Sequence, residues 1–180
     1  TVFRPEEDRN LDIKVTRGEI LEKSVRLTMV QDYAYISIRS FTEKTNMEMG
    51  IVLEEMAAYE PRGIILDLRN NLGGLVDPVV NVTSRFITQG TVFTIRYSDG
   101  RERDYKVNRQ DITTDLPMVV LVNGFSASGS EVLAGALQDH DRAVIAGTTT
   151  FGKGSVNALS PIGVDQGIHI TIARWLTPNG

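Results

Sequence analysis

The sequence predicts an α/β or α+β layered domain. Three short apolar runs, Ile64–Leu68, Met118–Val122 and Ala143–Ala146, are each followed by a glycine-bearing loop. Segments with helical spacing of apolar residues alternate with them, and both ends of the chain carry strand patterns. Short continuous apolar runs suit buried parallel strands, so these three are expected to be neighbours in one sheet.

The elements follow in order. Arg4 to Asn10 is polar and turn-like. Leu11, Ile13 and Val15 then alternate with Asp12, Lys14 and Thr16, as in a half-buried strand. Tyr33–Arg39 alternates again, with Ala34, Ile36 and Ile38 on one face. Thr42 is placed to cap a helix over Glu43–Glu60, where Met49, Val52, Leu53 and Met56 share a face and Pro61 stops it. After the strand Gly63–Leu68, Arg69–Gly74 is a polar, glycine-rich turn. A helix from about Asp77 to Ile87 follows, with Pro78 tolerated in its first turn. Ser98-Asp99-Gly100 joins Thr91–Tyr97 to Arg101–Val107 as a hairpin. Pro117 opens Met118–Val122, and Asn123–Ser130 leads into a helix over Glu131–Asp139. Beyond Ala143–Ala146 lies the glycine loop Gly147–Gly154. Ser155–Trp175 is mostly strand-like, broken at Pro161 and Gly163.

A chain of 180 residues is one domain, or one with a fragment of another. Its 19 Lys+Arg and 23 Asp+Glu give a net charge of −4, which argues against a nucleic-acid groove or an anionic membrane as main partner. The absence of Cys removes disulfides, thiol catalysis and Cys-based zinc sites, and 2 His argue against a His-rich metal site. The longest apolar run, Met118–Val122, falls far short of the ~18 residues that span a bilayer. Thr1 in place of an initiator Met and the turn-like Leu176–Gly180 end suggest a piece of a longer protein.

Three motifs carry candidate chemistry. In Asn123–Glu131, serines 126, 128 and 130 stand between a strand and a helix. A helix N-terminus offers free N–H groups and a positive dipole end, which favour an oxyanion. The plainer reading is a capping box, Ser128 with Glu131. Gly147–Ser155 nearly matches the phosphate-loop pattern, but Gly154 stands where the Mg²⁺-binding hydroxyl belongs and the segment that follows reads as a strand. The Asp67–Gly74 turn ends in a Gly-Gly pair that permits either close ligand approach or simply a tight turn. Together they are stronger. Ser128 and Lys153 each follow a predicted buried strand, so one sheet edge would hold both. A Ser hydroxyl needs a base, and a lysine whose pKa burial lowers can supply it.

The blocks Leu66–Gly74, Phe125–Asp139, Gly147 with Phe151–Val156, and Arg174–Gly180 resemble those of the C-terminal processing (tail-specific) serine peptidases, in the same order. The resemblance implies Ser128 as nucleophile, Lys153 as general base, and the N–H groups of Gly74 and Gly129 as oxyanion hole. It also implies a crotonase-like α/β core with β-rich terminal segments, with residues 1–16 the last strands of a PDZ domain and residues 17–180 the catalytic domain. Relatives usually carry Gln four residues after the lysine to orient it. Here Asn157, one methylene shorter, stands there. Asp139 matches an acidic position of some relatives, and a helix-end surface residue is its plainer reading. Implied partners are protein or peptide substrates with exposed apolar C-termini, with no cofactor, no nucleic acid and no stable membrane insertion. The implied location is the cell envelope, periplasm or another extracytoplasmic space. Lys153 is expected against apolar walls with few carboxylates nearby.

Two rivals remain. Gly124–Ser128 resembles a nucleophile elbow, with Ser126, Asp165 and His169 as a hydrolase triad, although His169 falls in an alternating strand pattern. A degenerate peptidase serving as a binding module is the non-enzyme alternative. Asn81-Val82-Thr83 fits a glycosylation acceptor.

Overall fold

A computed structural model describes residues 1–14, 22–163 and 166–180. The strands and helices run β1 (Val2–Arg4), β2 (Arg9–Leu11), β3 (Val25–Val30), β4 (Tyr33–Ile38), α1 (Thr45–Ala57), β5 (Gly63–Asp67) and α2 (Val76–Thr83). They continue through β6 (Thr91–Tyr97), β7 (Glu102–Lys106), β8 (Met118–Val122), α3 (Gly129–Asp139), β9 (Val144–Gly147), β10 (Ser155–Pro161) and β11 (Gly167–Leu176).

The main sheet has the order β3-β4-β5-β8-β9. β3 and β4 are antiparallel, and the remaining pairs are parallel. Because β4, β5, β8 and β9 step in one direction across the sheet, right-handed crossovers put the connecting helices on one face. That face buries Ala34, Ile36, Ile38, Ile64, Leu66 and Val120 against Met49 and Leu53 of α1, Val82 of α2 and Leu133 and Leu137 of α3. Each such Ile, Leu, Val or Met side chain contributes about 1.5–3 kcal/mol by leaving water. A second, antiparallel sheet, β10-β11-β6-β7, lies against α3 through β6. Phe93 of β6 stacks on Tyr105 with ring centroids 4.3 Å apart and meets Trp175 of β11 edge-on at 4.9 Å.

The three apolar runs are indeed adjacent strands of one sheet. The third departs from expectation in burial. β9 is an edge strand with a single neighbour, and Val144 is 67% exposed. The alternation over Leu11–Val15 also ends early. Among the described residues β2 pairs with β1 alone, and Leu11 already faces Val2, so partner residues run out there. Ile13 is exposed, and Val15 and Thr16 lie outside the described residues. Thr42 does not cap α1. The helix begins at Thr45, whose hydroxyl accepts the Thr42 N–H at 2.8 Å. β3 has no counterpart in the sequence reading, although Val25, Leu27 and Met29 alternate there with exposed Arg26, Thr28 and Val30. The Asn81-Val82-Thr83 acceptor pattern is helical, and its Thr83 hydroxyl is buried against Val79 O at 2.7 Å.

The register matters most at the C-terminal ends of the parallel strands. Asp67 is level with Leu121, and Val122 with Gly147. The loops leaving β5, β8 and β9 therefore emerge along one sheet edge, the place where open α/β sheets build their sites.

Candidate active site

Ser126 and Ser130 bracket Ser128, yet the three serines do different things. Ser126 and Ser130 are fully buried. Their hydroxyls donate to Leu68 O and Asn71 O, both at 2.8 Å, and Ser126 Oγ also accepts the Asn123 N–H at 3.0 Å. They fasten the start of α3 to the turn that follows β5. Ser128, at the N-cap of α3, is half-buried and lines a pocket of about 210 Å³ with Lys153, Phe93, Val132 and Trp175. Its φ is +54°, a conformation that costs a non-glycine residue about 1–3 kcal/mol and marks functional turns.

The Gly73–Gly74 turn abuts this residue. A side chain at Gly73 would place its Cβ 2.8 Å from both Ala127 O and Gly129 N, and one at Gly74 would strike Phe41 O. The Phe41 N–H donates to Gly73 O at 3.0 Å and the Leu75 N–H to Phe41 O at 2.8 Å. The N–H groups of Gly74 and Gly129 have no partner among the described residues. Both glycines line a smaller recess of about 50 Å³ beside Ser128, walled by Val76, Val79, Val132 and Trp175.

Lys153 lies in the loop after β9 and is exposed. It lines the same pocket as Ser128, although no hydrogen bond joins the two side chains among the described residues. Apolar walls are present in Phe93, Val132, Trp175 and Leu176. Among the described residues Glu131 is the one carboxylate in this lining, and it meets the lysine at the backbone N–H rather than the ammonium. Glu131 Oε2 accepts the Lys153 N–H at 3.0 Å and the Ser128 N–H at 2.8 Å. Its Oε1 accepts from Gly152 N at 2.5 Å and Thr150 Oγ1 at 2.8 Å. In the sequence Glu131 reads only as half of a capping box. The arm to the Ser128 N–H is there, but the same carboxylate also gathers the lysine loop.

The remaining candidates sit further out. Asn157 is exposed on β10, where its Oδ1 accepts the Thr171 hydroxyl at 2.9 Å. Asp139 Oδ2 accepts the Asn179 N–H at 2.8 Å, which holds the end of the chain whose Leu176 and Thr177 wall the pocket. His169 is exposed on β11, and Asp165 lies outside the described residues. With the Ser126 hydroxyl committed to Leu68 O, the triad Ser126–Asp165–His169 has no free nucleophile. The glycine loop Gly147–Gly154 runs into strand β10, so it opens no helix of the kind a phosphate loop requires.

Below the turn, Asp67 is buried and takes both guanidinium arms of Arg69, at 2.9 and 2.8 Å, together with the Tyr35 hydroxyl. Burial alone would raise the Asp67 pKa, but the hydrogen bonds from Arg69 and Tyr35 outweigh it and hold the carboxyl below its ordinary value. The bond to Asp67, with burial, raises Tyr35. This cluster fixes the root of the turn rather than lining the pocket.

Residues 32–180 match the model of Peptidase family S41. The chain is 39% identical over 188 residues to a carboxy-terminal-processing protease of Bartonella bacilliformis, covering 100% of this chain and 43% of that protein. It is 32% identical over 173 residues to the carboxy-terminal processing protease CtpA of Bacillus subtilis, covering 95% and 37%. Among solved structures, a photosystem II D1 C-terminal processing protease superposes with a TM-score of 0.81 at 33% identity, over 92% of this chain and 46% of that one. The chain thus spans less than half the length of each of these relatives.

Proposed function

The chain belongs to peptidase family S41, and on that premise we propose that it is the catalytic core of a serine peptidase that cleaves proteins near their C-termini through a Ser128–Lys153 dyad. The observation that carries the reading is the division of labour among the serines. Ser128 alone of serines 126, 128 and 130 has its hydroxyl outside the staple to the Asp67–Gly74 turn, and it shares a pocket with Lys153.

The chemistry follows from the placement. Neutral Lys153 Nζ takes the Ser128 hydroxyl proton as Oγ attacks the peptide carbonyl carbon. The carbonyl oxygen becomes an oxyanion held by the Gly74 and Gly129 N–H groups. Collapse breaks the C–N bond, and the Lys153 ammonium returns its proton to the leaving amine. A water then loses a proton to Lys153 as it attacks the acyl-serine; collapse breaks the C–Oγ bond, Lys153 returns that proton to Ser128 Oγ, and the released acid gives up its proton to solvent. Catalytic hydrogen bonds often tighten only with substrate bound, consistent with the open Ser128–Lys153 pair. The 50 Å³ recess, walled by Val76, Val79 and Val132, suits a small apolar side chain next to the scissile bond.

Around this centre, Asp139 serves by holding the Asn179 segment, and Asn157 by fixing the strand that follows the lysine loop. The one-directional parallel core with its helices on one face is read as crotonase-like. The β1–β2 hairpin, which among the described residues pairs with no other strand, is read as the end of a PDZ domain over residues 1–16, with the peptidase domain over residues 17–180. The proposed location is the cell envelope or another extracytoplasmic space. The test is hydrolysis of a C-terminally tagged protein by the full-length protein, with Ser128→Ala beside it. Turnover that Ser128→Ala abolishes supports the reading; a Ser128→Ala protein that still cleaves overturns it.

A further inference from the structure

We infer that Asn71, fully buried under the Gly73–Gly74 turn, is a positioning residue that aims the Gly74 N–H at the substrate carbonyl; the inference rests on the peptidase reading above. The Asn71 side chain ties two backbone segments together. Nδ2 donates to Ile38 O at the end of β4 at 2.9 Å, and Oδ1 accepts the Gly73 N–H at 2.8 Å. Its own carbonyl accepts the Ala127 N–H at 3.0 Å and the Ser130 hydroxyl at 2.8 Å. One residue therefore connects β4, the glycine turn and the start of the Ser128 helix.

The direction of the Gly74 N–H follows from peptide geometry. In a trans peptide the C=O and N–H point opposite ways. Gly73 O is bonded to the Phe41 N–H, so the Gly74 N–H must point away from the Phe41 segment, to the side where Ser128 and Gly129 stand. Gly73 and Gly74 have φ of +101° and +150°, in a region only glycine enters freely, so the pair has little intrinsic preference for one arrangement. The Asn71 amide anchors the peptide just before them. A neutral amide fits because it is donor and acceptor at once; an ionised carboxylate of the same shape is acceptor only and would face Ile38 O.

The test is steady-state kinetics of the full-length protein on a peptide substrate, comparing wild type, Asn71→Ala and Asn71→Asp well below their melting temperatures. Asn71→Ala is expected to lose roughly 10²-fold in kcat, the size of losing one oxyanion donor, with KM nearly unchanged. Asn71→Asp reproduces the amide only when its carboxyl is protonated, donating to Ile38 O and accepting from Gly73. Its kcat per folded molecule, with the folded fraction measured at each pH because the same protonation also stabilises the fold, should therefore climb relative to wild type as pH falls. If Asn71→Ala does not fold, the Asn71→Asp ratio decides alone. A loss confined to KM, or an Asn71→Asp ratio that does not change with pH, would overturn the inference. In that event, wild-type turnover with an inert Ser128→Ala leaves the peptidase reading standing, whereas a wild type without hydrolysis overturns both.

Discussion

Ser128 and Lys153 are joined through a single oxygen: the backbone N–H groups of both donate to Glu131 Oε2, at 2.8 and 3.0 Å. The proposed nucleophile and base come from different loops of the sheet edge, and a side chain one turn into α3 sets the backbone of each relative to the other.

That arrangement makes Glu131→Gln informative. The carboxylate accepts from Ser128, Lys153, Gly152 and Thr150, and an amide keeps only one acceptor oxygen. Hydrogen bonds to a charged group are worth about 1.5–3 kcal/mol when well formed. We expect kcat to fall at least about tenfold, which corresponds to ~1.4 kcal/mol, and the melting temperature to drop by several degrees. Steady-state kinetics and thermal melts on the same preparations check this; unchanged kcat would leave Glu131 as an ordinary cap.

The flanking serines should separate from Ser128 by phenotype. Ser128→Ala is expected to abolish hydrolysis and labelling by a fluorophosphonate, with no greater loss of stability than the ~0.5–2 kcal/mol of an N-cap serine. Ser126→Ala removes the buried bond to Leu68 O and strands the part-buried Asn123 N–H, and should cost about 1–3 kcal/mol of stability while retaining some activity. Ser130→Ala should behave likewise. Urea unfolding alongside active-site labelling tells the effects apart.

Lys153→Arg should be inactive, because a guanidinium keeps its proton and cannot serve as a base. Lys153→Ala should be equally inert. Activity of the wild type should persist in a chelator, since the proposed steps use only side chains, backbone N–H groups and water. A hydrolytically competent Lys153→Arg protein would remove lysine from the role of base.

The Asp67 cluster predicts how stability responds to pH. Asp67 has a lowered folded pKa, so its contribution is present above the ordinary carboxylate value of ~3.9 and is lost as pH falls through the folded value. Tyr35 is raised, so its contribution is present below ~10 and lost as pH climbs through its folded value. Asp67→Asn should therefore be less stable than wild type at neutral pH, with the difference shrinking in acid. Denaturant titrations of both proteins across that range measure it; a gap that stays constant with pH would remove Asp67 from the acid response.

The amino-acid pattern by itself determined the parallel strands and the loops that follow them. Continuous apolar runs such as Met118–Val122 and helical spacing such as Met49, Val52, Leu53 and Met56 are local signals, readable wherever they occur. It also paired Ser128 with Lys153, each just after a predicted buried strand, whereas Gly74 and Gly129 came only from the resemblance to the tail-specific peptidases. Burial and hydrogen-bond partnership were left to the tertiary structure. Only packing decided that β9 is an edge strand, that Ser126 and Ser130 turn inward to carbonyls on another loop, and that Glu131 reaches across to the lysine loop. The physical reason is that these properties belong to pairs of residues far apart in the chain. Asn71 and Ile38, or Glu131 and Lys153, carry no shared pattern until the sheet brings their loops to one edge.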